Sequence, residues 1–296
     1  MTDLSFPENL LEFDTRFPDE ESCRAYFAAV RWPDGFRCPR CFRPGWRLNG
    51  RALFECQLGH QTSLTARTIF HSTRKPLRLW FRVMFLMAAQ KQGLSAKNLM
   101  RLLGFRSFQT AWHWLHKLRR ATVRRGRDRL FGVVEVDECL LEGKPKSAAH
   151  WGHPVVVGAV EHNAKRIGRV RLELIKERSG PTVTRFVHEN VQPGSAIATD
   201  GYQAYAVMSE RGYEHRPHVR DPKALPAIHR VFGLLQRWLM GTHQGSVSPK
   251  HLQSYLDEYA FRFNRRHSAS PGRLFARLLE QGAYTRAETW RSLVGT

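Results

Sequence analysis

The sequence predicts an α/β protein in which a mixed-sheet domain follows a small metal-binding module and a group of helices. Three observations lead to this prediction. Two short strand-like runs, at residues 133–136 and 195–199, are each followed by one aspartate, Asp137 and Asp200. Cysteines and a histidine stand at metal-ligand spacing near the N-terminus. Between these regions, apolar side chains recur every three or four residues, which is typical of helices.

The composition indicates a polyanionic partner. The 296 residues include 47 Lys and Arg against 26 Asp and Glu, a formal net charge of +21. This charge favours nucleic acid over a membrane surface, because basic residues recur in every segment and do not form one basic amphipathic helix. A solvated basic surface is the alternative. Without a long apolar run or a secretory leader, the chain is expected to avoid membranes and to be cytoplasmic.

Residues 18–75 are predicted to form a zinc ribbon. In a reducing cytosol, cysteines at short spacing indicate metal binding and not disulfides. Cys38 and Cys41 form a Cys-x2-Cys knuckle, and Cys56 and His60 form a second knuckle with Cys-x3-His spacing. Zn²⁺ prefers four thiolate or imidazole ligands in a tetrahedron, which this set supplies. The alternative is that His60 faces solvent and the site holds metal through three ligands or none.

Short elements complete the predicted ribbon. A helix at residues 18–29 starts with acidic side chains, which favour a helix N-terminus. A hairpin at residues 46–54 is predicted to turn at Asn49-Gly50. A β-rich run at residues 61–70 would then close the ribbon.

Residues 76–127 are predicted to form a helix-turn-helix segment. Apolar periodicity indicates three helices between Leu77 and Arg120, separated at Gly93 and Gly104, and Ser107 can cap the third. A short helix, a glycine-containing turn and a basic helix are typical of DNA-binding helix-turn-helix proteins, although a plain three-helix bundle would have the same pattern. The third helix is expected to contact DNA through His113, Lys117, Arg119 and Arg120.

Residues 128–266 are predicted to form an RNase H-like domain after a charged hinge at residues 124–129. Three strands in quick succession, a helix, a strand with an acidic end and further helices occur in the order of that fold. In that layout the first and fourth strands are neighbours, so Asp137 and Asp200 would lie side by side and could share a metal. Carboxylate oxygens suit the hard cations Mg²⁺ and Mn²⁺, although an aspartate at a strand end can also be a turn former. Residues 267–296 form a tail to which no chemistry is assigned.

Several stretches resemble bacterial insertion-sequence transposases that carry an N-terminal zinc ribbon and an RNase H-like DDE catalytic domain, the ISXO-like group. In family order over roughly residues 20–266, they are FRCPRC, QTSLTARTIFHSTRKPLRLWF, TAWHWLHKLR, VEVDE, TDGYQAY, HRVFGLLQRWLMGTH and SPKHLQSYLDEYAFRFNRR. The resemblance implies cleavage and transfer of DNA strands at the ends of a mobile element, with two Mg²⁺ or Mn²⁺ ions. It also implies double-stranded DNA partners, namely the terminal inverted repeats and the target, and at least a dimer on DNA.

The sequence departs from the family pattern at three places. The second ribbon knuckle is usually Cys-x2-Cys, whereas Gly59 and His60 follow Cys56 here. Arg67 replaces the glycine of a family turn, which would strain that turn. The third catalytic acid, usually a glutamate, falls on His229. The expected catalytic and Mg²⁺- or Mn²⁺-binding set is therefore Asp137, Asp200 and His229.

Neighbouring residues carry further expectations. Glu138 would point to the opposite face of its strand, and Asp257 or Glu258 could replace His229 as the third ligand. Arg237, the residue after the position of a family lysine, is an expected DNA contact. If these departures abolish catalysis, the chain would be a degenerate transposase that acts only as a DNA-binding protein, which is the alternative function.

Overall fold

The computed structural model describes residues 5–48, 53–124, 126–141, 154–163, 166–219, 221, 224–268, 270–286 and 289–294. The predicted turn at Asn49-Gly50 lies outside these residues. The chain divides into two compact units, one of Met1–Arg124 with Ser268–Thr296 and the other of Arg125–His267. The C-terminal tail therefore belongs to the same unit as Met1–Arg124.

The described residues form runs of helices and runs of strands. The helices are α1 (Leu10–Arg16), α2 (Glu20–Arg31), α3 (Leu77–Ala89), α4 (Ala96–Leu103), α5 (Phe108–Arg120), α6 (Gly180–Asn190), α7 (Pro226–His243), α8 (Pro249–Phe263), α9 (Pro271–Tyr284) and α10 (Trp290–Val294). The strands are β1 (Gly45–Arg47), β2 (Leu53–Cys56), β3 (Gln61–Ser63), β4 (Val133–Leu140), β5 (Val155–Asn163), β6 (Arg166–Ile175), β7 (Ala196–Thr199) and β8 (Glu214–Pro217). A 3₁₀ helix spans Gln203–Arg211. No helix of the described residues is both long enough and apolar enough to cross a membrane.

Aromatic side chains form the core of the first unit. Phe275 of α9 meets Phe13, Phe17 and Phe81 with ring centroids 6.0, 5.9 and 5.6 Å apart, and all four side chains are fully buried. Aromatic pairs at these separations add to the free energy of burial. The tail helix α9 thus completes an apolar core that α1 and α3 begin, a role that the sequence alone did not indicate.

The ribbon sheet has the antiparallel order β1-β2-β3, but its last strand is shorter than the sequence predicts. The β-rich pattern predicts a strand up to residue 70, whereas β3 ends at Ser63. Beyond it the chain turns, and Arg67 has a φ of 61°, a left-handed conformation that a strand does not contain. The preceding helix α2 begins at Glu20 because Asp19 caps it by accepting a hydrogen bond from the Ser22 amide.

The second unit is built on a five-stranded mixed sheet of order β6-β5-β4-β7-β8. β5 pairs antiparallel with both β4 and β6, whereas β7 pairs parallel with β4 and β8 pairs parallel with β7. Helix α6 covers one face through Val183, Phe186 and Val187. Helices α7 and α8 cover the other face, with Ile228 and Phe232 among the buried contacts. The predicted α/β fold with a mixed sheet is confirmed.

One predicted boundary in this sheet is wrong. The β-branched run predicts that the first strand ends at Asp137, but β4 continues to Leu140. The antiparallel partner β5 keeps pairing along this whole length, up to Leu140 opposite Val155. The parallel partner β7 stops earlier, at Thr199. Asp137 therefore lies inside β4, at the point where the neighbouring parallel strand has ended.

Candidate functional site

Strand register brings the two predicted aspartates to one place. In the parallel pair, Glu135 of β4 stands opposite Ala198 of β7. Continuing that register by two residues brings Asp137 level with Asp200, the first residue after β7. Side chains alternate along a strand, so Glu135 and Asp137 face α7 and α8, while Val134 and Val136 face α6. The sequence-predicted proximity of Asp137 and Asp200 agrees with this geometry.

Asp137 is the more buried of the two predicted aspartates, with 7% of its surface exposed. Its Oδ1 accepts a hydrogen bond from the Glu138 amide at 2.8 Å. Its Oδ2 lies 3.0 Å from Nε2 of His229, which makes a hydrogen bond when Nε2 carries the proton. Burial raises the pKa of Asp137, and the negative charges of Asp200 and Glu138 act in the same direction. A carboxylate in this setting gains from a nearby cation.

His229 occupies the first turn of α7, and its side chain is about half exposed, at 47%. The backbone beside it is fixed because Oε2 of Glu135 accepts a hydrogen bond from the Ile228 amide at 2.7 Å. Oε1 of the same carboxylate lies 2.7 Å from Nε2 of His162 on β5. Glu135 is 3% exposed and ties β4, β5 and the start of α7 together. Sequence reasoning missed this residue, although its spacing of two from Asp137 put it on the same strand face.

Asp200 is exposed and is oriented by its own turn. Its Oδ1 accepts a hydrogen bond from the Tyr202 amide at 2.9 Å, and Gly201 between them has a φ of +80°. This conformation strains any residue other than glycine. The turn therefore holds one carboxylate oxygen of Asp200 and leaves the other for a ligand.

Glu138 lies on the opposite face of β4, as predicted. Its Oε1 accepts a hydrogen bond from the Tyr205 hydroxyl at 2.6 Å, and its Oε2 accepts one from Arg178 at 2.9 Å. Both carboxylate oxygens of this buried side chain are thus engaged. Glu138 is therefore not offered to a metal that Asp137 would hold, and Arg178 balances its charge.

The predicted substitutes for His229 lie elsewhere in the second unit. The Asp257 carboxylate accepts a hydrogen bond from Gln253 at 3.0 Å, and Gln253 in turn accepts one from the Leu174 amide of β6. Strand β6 is two strands away from β4 in the sheet. Glu258 is fully buried, with 0% of its surface exposed. The residue that the structure brings to Asp137 is therefore His229.

The predicted zinc ligands form a compact group. The ligand atoms of Cys38, Cys41, Cys56 and His60 all lie within 4.8 Å of one another. Sγ of Cys41 is 3.6 Å from Sγ of Cys56, and Sγ of Cys38 is 3.7 Å from Nδ1 of His60. Zn–S bonds of about 2.3 Å in a tetrahedron place two sulfurs about 3.8 Å apart. The donor types and spacings therefore fit one Zn²⁺.

The acidic site is more open than the ribbon cluster. Among the described residues, the ribbon cluster is the one group of three or more potential metal ligands with ligand atoms this close together. Asp137, Asp200 and His229 do not form such a closed set. Two metal ions about 3.5–4 Å apart need ligands spread over a wider space than one tetrahedral ion. The open arrangement suits a phosphate-binding site better than a structural metal site.

The predicted DNA contacts differ in exposure. Arg120 on α5 and Arg237 on α7, about two turns beyond His229, are exposed. His113 and Lys117 are partly buried; the His113 ring lies 5.7 Å from that of Trp290, and burial lowers the pKa of Lys117. Arg119 is only 1% exposed, so its predicted contact with DNA is wrong for this conformation. The helical pattern of α5 placed it on the polar face, but the core extends around the helix to enclose it.

Two family models match the chain. Residues 129–264 match the ISXO2-like transposase domain, and residues 18–58 match the transposase zinc-ribbon domain. The first match contains Asp137, Asp200 and His229, and the second contains the three ribbon cysteines but ends before His60. No curated protein matches the chain closely enough to count as a relative.

Proposed function

Because the chain belongs to the ISXO2-like insertion-sequence transposases and carries their zinc ribbon, we propose that it binds the ends of its element and catalyses cleavage and transfer of DNA strands there. The supporting observation is the pairing of Asp137 with His229 at 3.0 Å, at the strand end where Asp200 follows β7. These three side chains would form an Asp-Asp-His set in the place of the usual two aspartates and a glutamate.

The donors of this set suit divalent cations. Asp137 and Asp200 offer the oxygen ligands that Mg²⁺ prefers, and the imidazole of His229 is relatively better suited to Mn²⁺. The raised pKa of Asp137 supports this assignment, because a bound cation would offset the burial and the negative neighbours that raise it. When bound, the cations would neutralise charge on the scissile phosphate and lower the pKa of the attacking hydroxyl or water.

Asp137, Asp200 and His229 would each have a separate role. Asp137, held by the Glu138 amide, would be the central metal ligand. Asp200 would be a second carboxylate ligand, on the side of the site away from α7. His229 would either complete the ligand set or accept the proton of the nucleophile, since an imidazole can do so near neutral pH. The nucleophile would be water in the cleavage step and a DNA 3′-hydroxyl in the transfer step.

DNA binding is supported by charge and by the first unit. The net charge of +21 would supply affinity for phosphates throughout the chain. The zinc ribbon and the α3–α5 segment, which we propose to be a helix-turn-helix, would recognise the element ends. Two ends must be joined in one reaction, so we propose that at least two copies assemble on DNA.

Nicking of labelled DNA tests the proposal. Duplexes from both flanks of the source locus are incubated with the protein in Mg²⁺ or Mn²⁺, and nicks are mapped on sequencing gels. Asp137→Asn and Asp200→Asn should each lower nicking by more than about a thousandfold, because each removes a metal ligand, while binding of the duplex is retained. Asp257→Asn is the matched control and should nick normally. Nicking by Asp137→Asn at the rate of the natural chain would refute the site.

Substitution of His229 separates its two possible roles. His229→Ala should be strongly impaired in both metals. His229→Glu should keep partial activity and shift the preference from Mn²⁺ towards Mg²⁺, because a carboxylate suits the harder ion. Full activity of His229→Ala would remove the histidine from the site and leave the two aspartates.

The second candidate function is DNA binding without catalysis. The observation in its favour is the histidine at the place of the third acid, since a neutral imidazole is a poorer Mg²⁺ ligand than a carboxylate. In that case the natural chain would protect a defined flank of the locus in footprinting but would nick it in neither metal.

A further inference from the structure

Arg178 stands at the rim of the acidic site, in the loop between β6 and α6. Its Nη2 donates a hydrogen bond to Oε2 of Glu138 at 2.9 Å. Its guanidinium lies over the ring of Tyr202, 4.8 Å from the ring centroid. The Tyr202 hydroxyl in turn donates a hydrogen bond to the Arg178 carbonyl at 3.2 Å. One edge and one face of the guanidinium are thus fixed, which removes most of the freedom of a long side chain.

The same contacts connect Arg178 to both aspartates. Glu138 donates its amide to Asp137, and Tyr202 donates its amide to Asp200. The charge of Asp200 is also close enough to help raise the pKa of Arg178, together with that of Glu138 and against the effect of burial. The guanidinium therefore lies near Asp200, at the edge of the place where we propose that the phosphate reacts.

The Arg178 side chain is only partly covered. Its side chain is 42% exposed, whereas that of Glu138 is 1% exposed. Within the described part of the chain, Nη1 and Nε make no hydrogen bond. One positive partner is enough to balance the charge of Glu138, and Arg178 provides it through Nη2. A guanidinium held in this way by a buried carboxylate and an aromatic ring, with free N–H groups, is preorganised for a phosphate.

We propose that Arg178, supported by Glu138 and Tyr202, binds a phosphodiester of the DNA strand that enters the Asp137–Asp200 site. This inference rests on the proposed function and adds a substrate contact to it. Nε would donate a hydrogen bond to a non-bridging oxygen of a phosphate next to the one that is cut. The exposed Tyr202 ring beside it offers a surface on which the neighbouring base can stack.

Side-chain NMR of the full chain tests the contact without any need for catalysis. The protein is labelled with ¹⁵N-arginine, and the Nε–Hε signal of Arg178 is assigned by its loss in Arg178→Lys. The probes are thymidylyl-thymidine, which carries one phosphodiester, and its uncharged methylphosphonate analogue. The Arg178 signal should shift with the diester and not with the analogue. An unmoved signal, or equal shifts with both probes, would overturn the proposal.

Arg185 on α6 provides the matched control. Its side chain is 47% exposed, and its Nη2 and Nη1 are paired with Glu173 and Glu189, so two carboxylates already balance its charge. Its Nε–Hε signal should shift much less with the diester than that of Arg178. An equal shift at both arginines would mean general attraction to a basic protein, which also overturns the proposal.

Kinetics then distinguish substrate binding from support of Glu138. Arg178→Ala should raise KM for nicking by roughly tenfold to a hundredfold, as expected for a lost charge-assisted contact, whereas Arg185→Ala should not. Adding Glu138→Gln to Arg178→Ala removes the unpaired buried carboxylate. Recovery of KM in this double variant would refute a phosphate contact, because only charge neutralisation would then have been lost. Absence of nicking by the natural chain would refute the proposed function, while the NMR shift would still decide this inference.

Discussion

Gly158 on β5 controls how closely α7 approaches the sheet, and Gly158→Ala perturbs that distance. Gly158 stands directly opposite Asp137 in the antiparallel register. A Cβ added there would lie 2.7 Å from Cδ1 of Ile228 and 2.9 Å from two ring atoms of Phe232. Carbon atoms in ordinary contact are about 3.5–4.0 Å apart. The helix must therefore move outward by roughly 1 Å, or its two buried side chains must leave their rotamers.

Both consequences can be given a magnitude. Adding a methyl group to a packed core typically costs about 1–3 kcal/mol of stability. Ile228 immediately precedes His229, so an outward shift of about 1 Å would lengthen the 3.0 Å contact between His229 and Asp137 beyond hydrogen-bonding distance. Misplacement of a catalytic group by that amount can lower a rate by roughly a hundredfold. Nicking should therefore fall further than the loss of folded protein explains.

The assay compares Gly158→Ala with Gly233→Ala. Gly233 lies on the exposed face of α7, and a Cβ there would meet nothing within 4 Å. Alanine in an exposed helix position is more stable than glycine by up to about 1 kcal/mol, so this control should be slightly stabilised and fully active. Urea unfolding gives the change in stability, and nicking in Mn²⁺ at a temperature where both variants are folded gives the rate. If Gly158→Ala were as stable as the natural chain and nicked DNA at the same rate, the close packing of α7 on the sheet would be refuted.

Three further outcomes are expected. Freshly purified protein should contain about one zinc per chain, and a metal content near zero would contradict the site. Cys56→Ser should lose the zinc, whereas His60→Cys should retain it, since four thiolates also bind zinc. Non-specific DNA affinity should fall on the order of a thousandfold between 50 and 200 mM salt, as for a protein with several phosphate contacts, and a flat response would exclude an electrostatic interface. Arg67→Gly should raise the melting temperature of the first unit, because relief of a left-handed non-glycine residue is worth about 1 kcal/mol, whereas an unchanged or lowered value would show that the turn is not strained.

The sequence by itself determined the features that depend on local pattern. Helical periodicity identified α3, α4 and α5, because the apolar spacing of a helix can be read from residues close together in the sequence. The spacing of Cys38, Cys41, Cys56 and His60 predicted the ribbon cluster, because short knuckles bring their ligands together with little help from the rest of the chain. The strand-like runs before the two aspartates predicted the mixed sheet.

Only the tertiary structure decided which distant side chains meet. The length of β4 beyond Asp137 depends on pairing with β5, and the burial of Arg119 depends on what packs around α5. The role of Phe275 likewise requires the tail to return to the N-terminal unit. Glu135 reaches the Ile228 amide because Gly158 lets α7 lie close to the sheet. These contacts join residues far apart in the chain, so their geometry follows from strand register and helix docking, which local patterns do not encode.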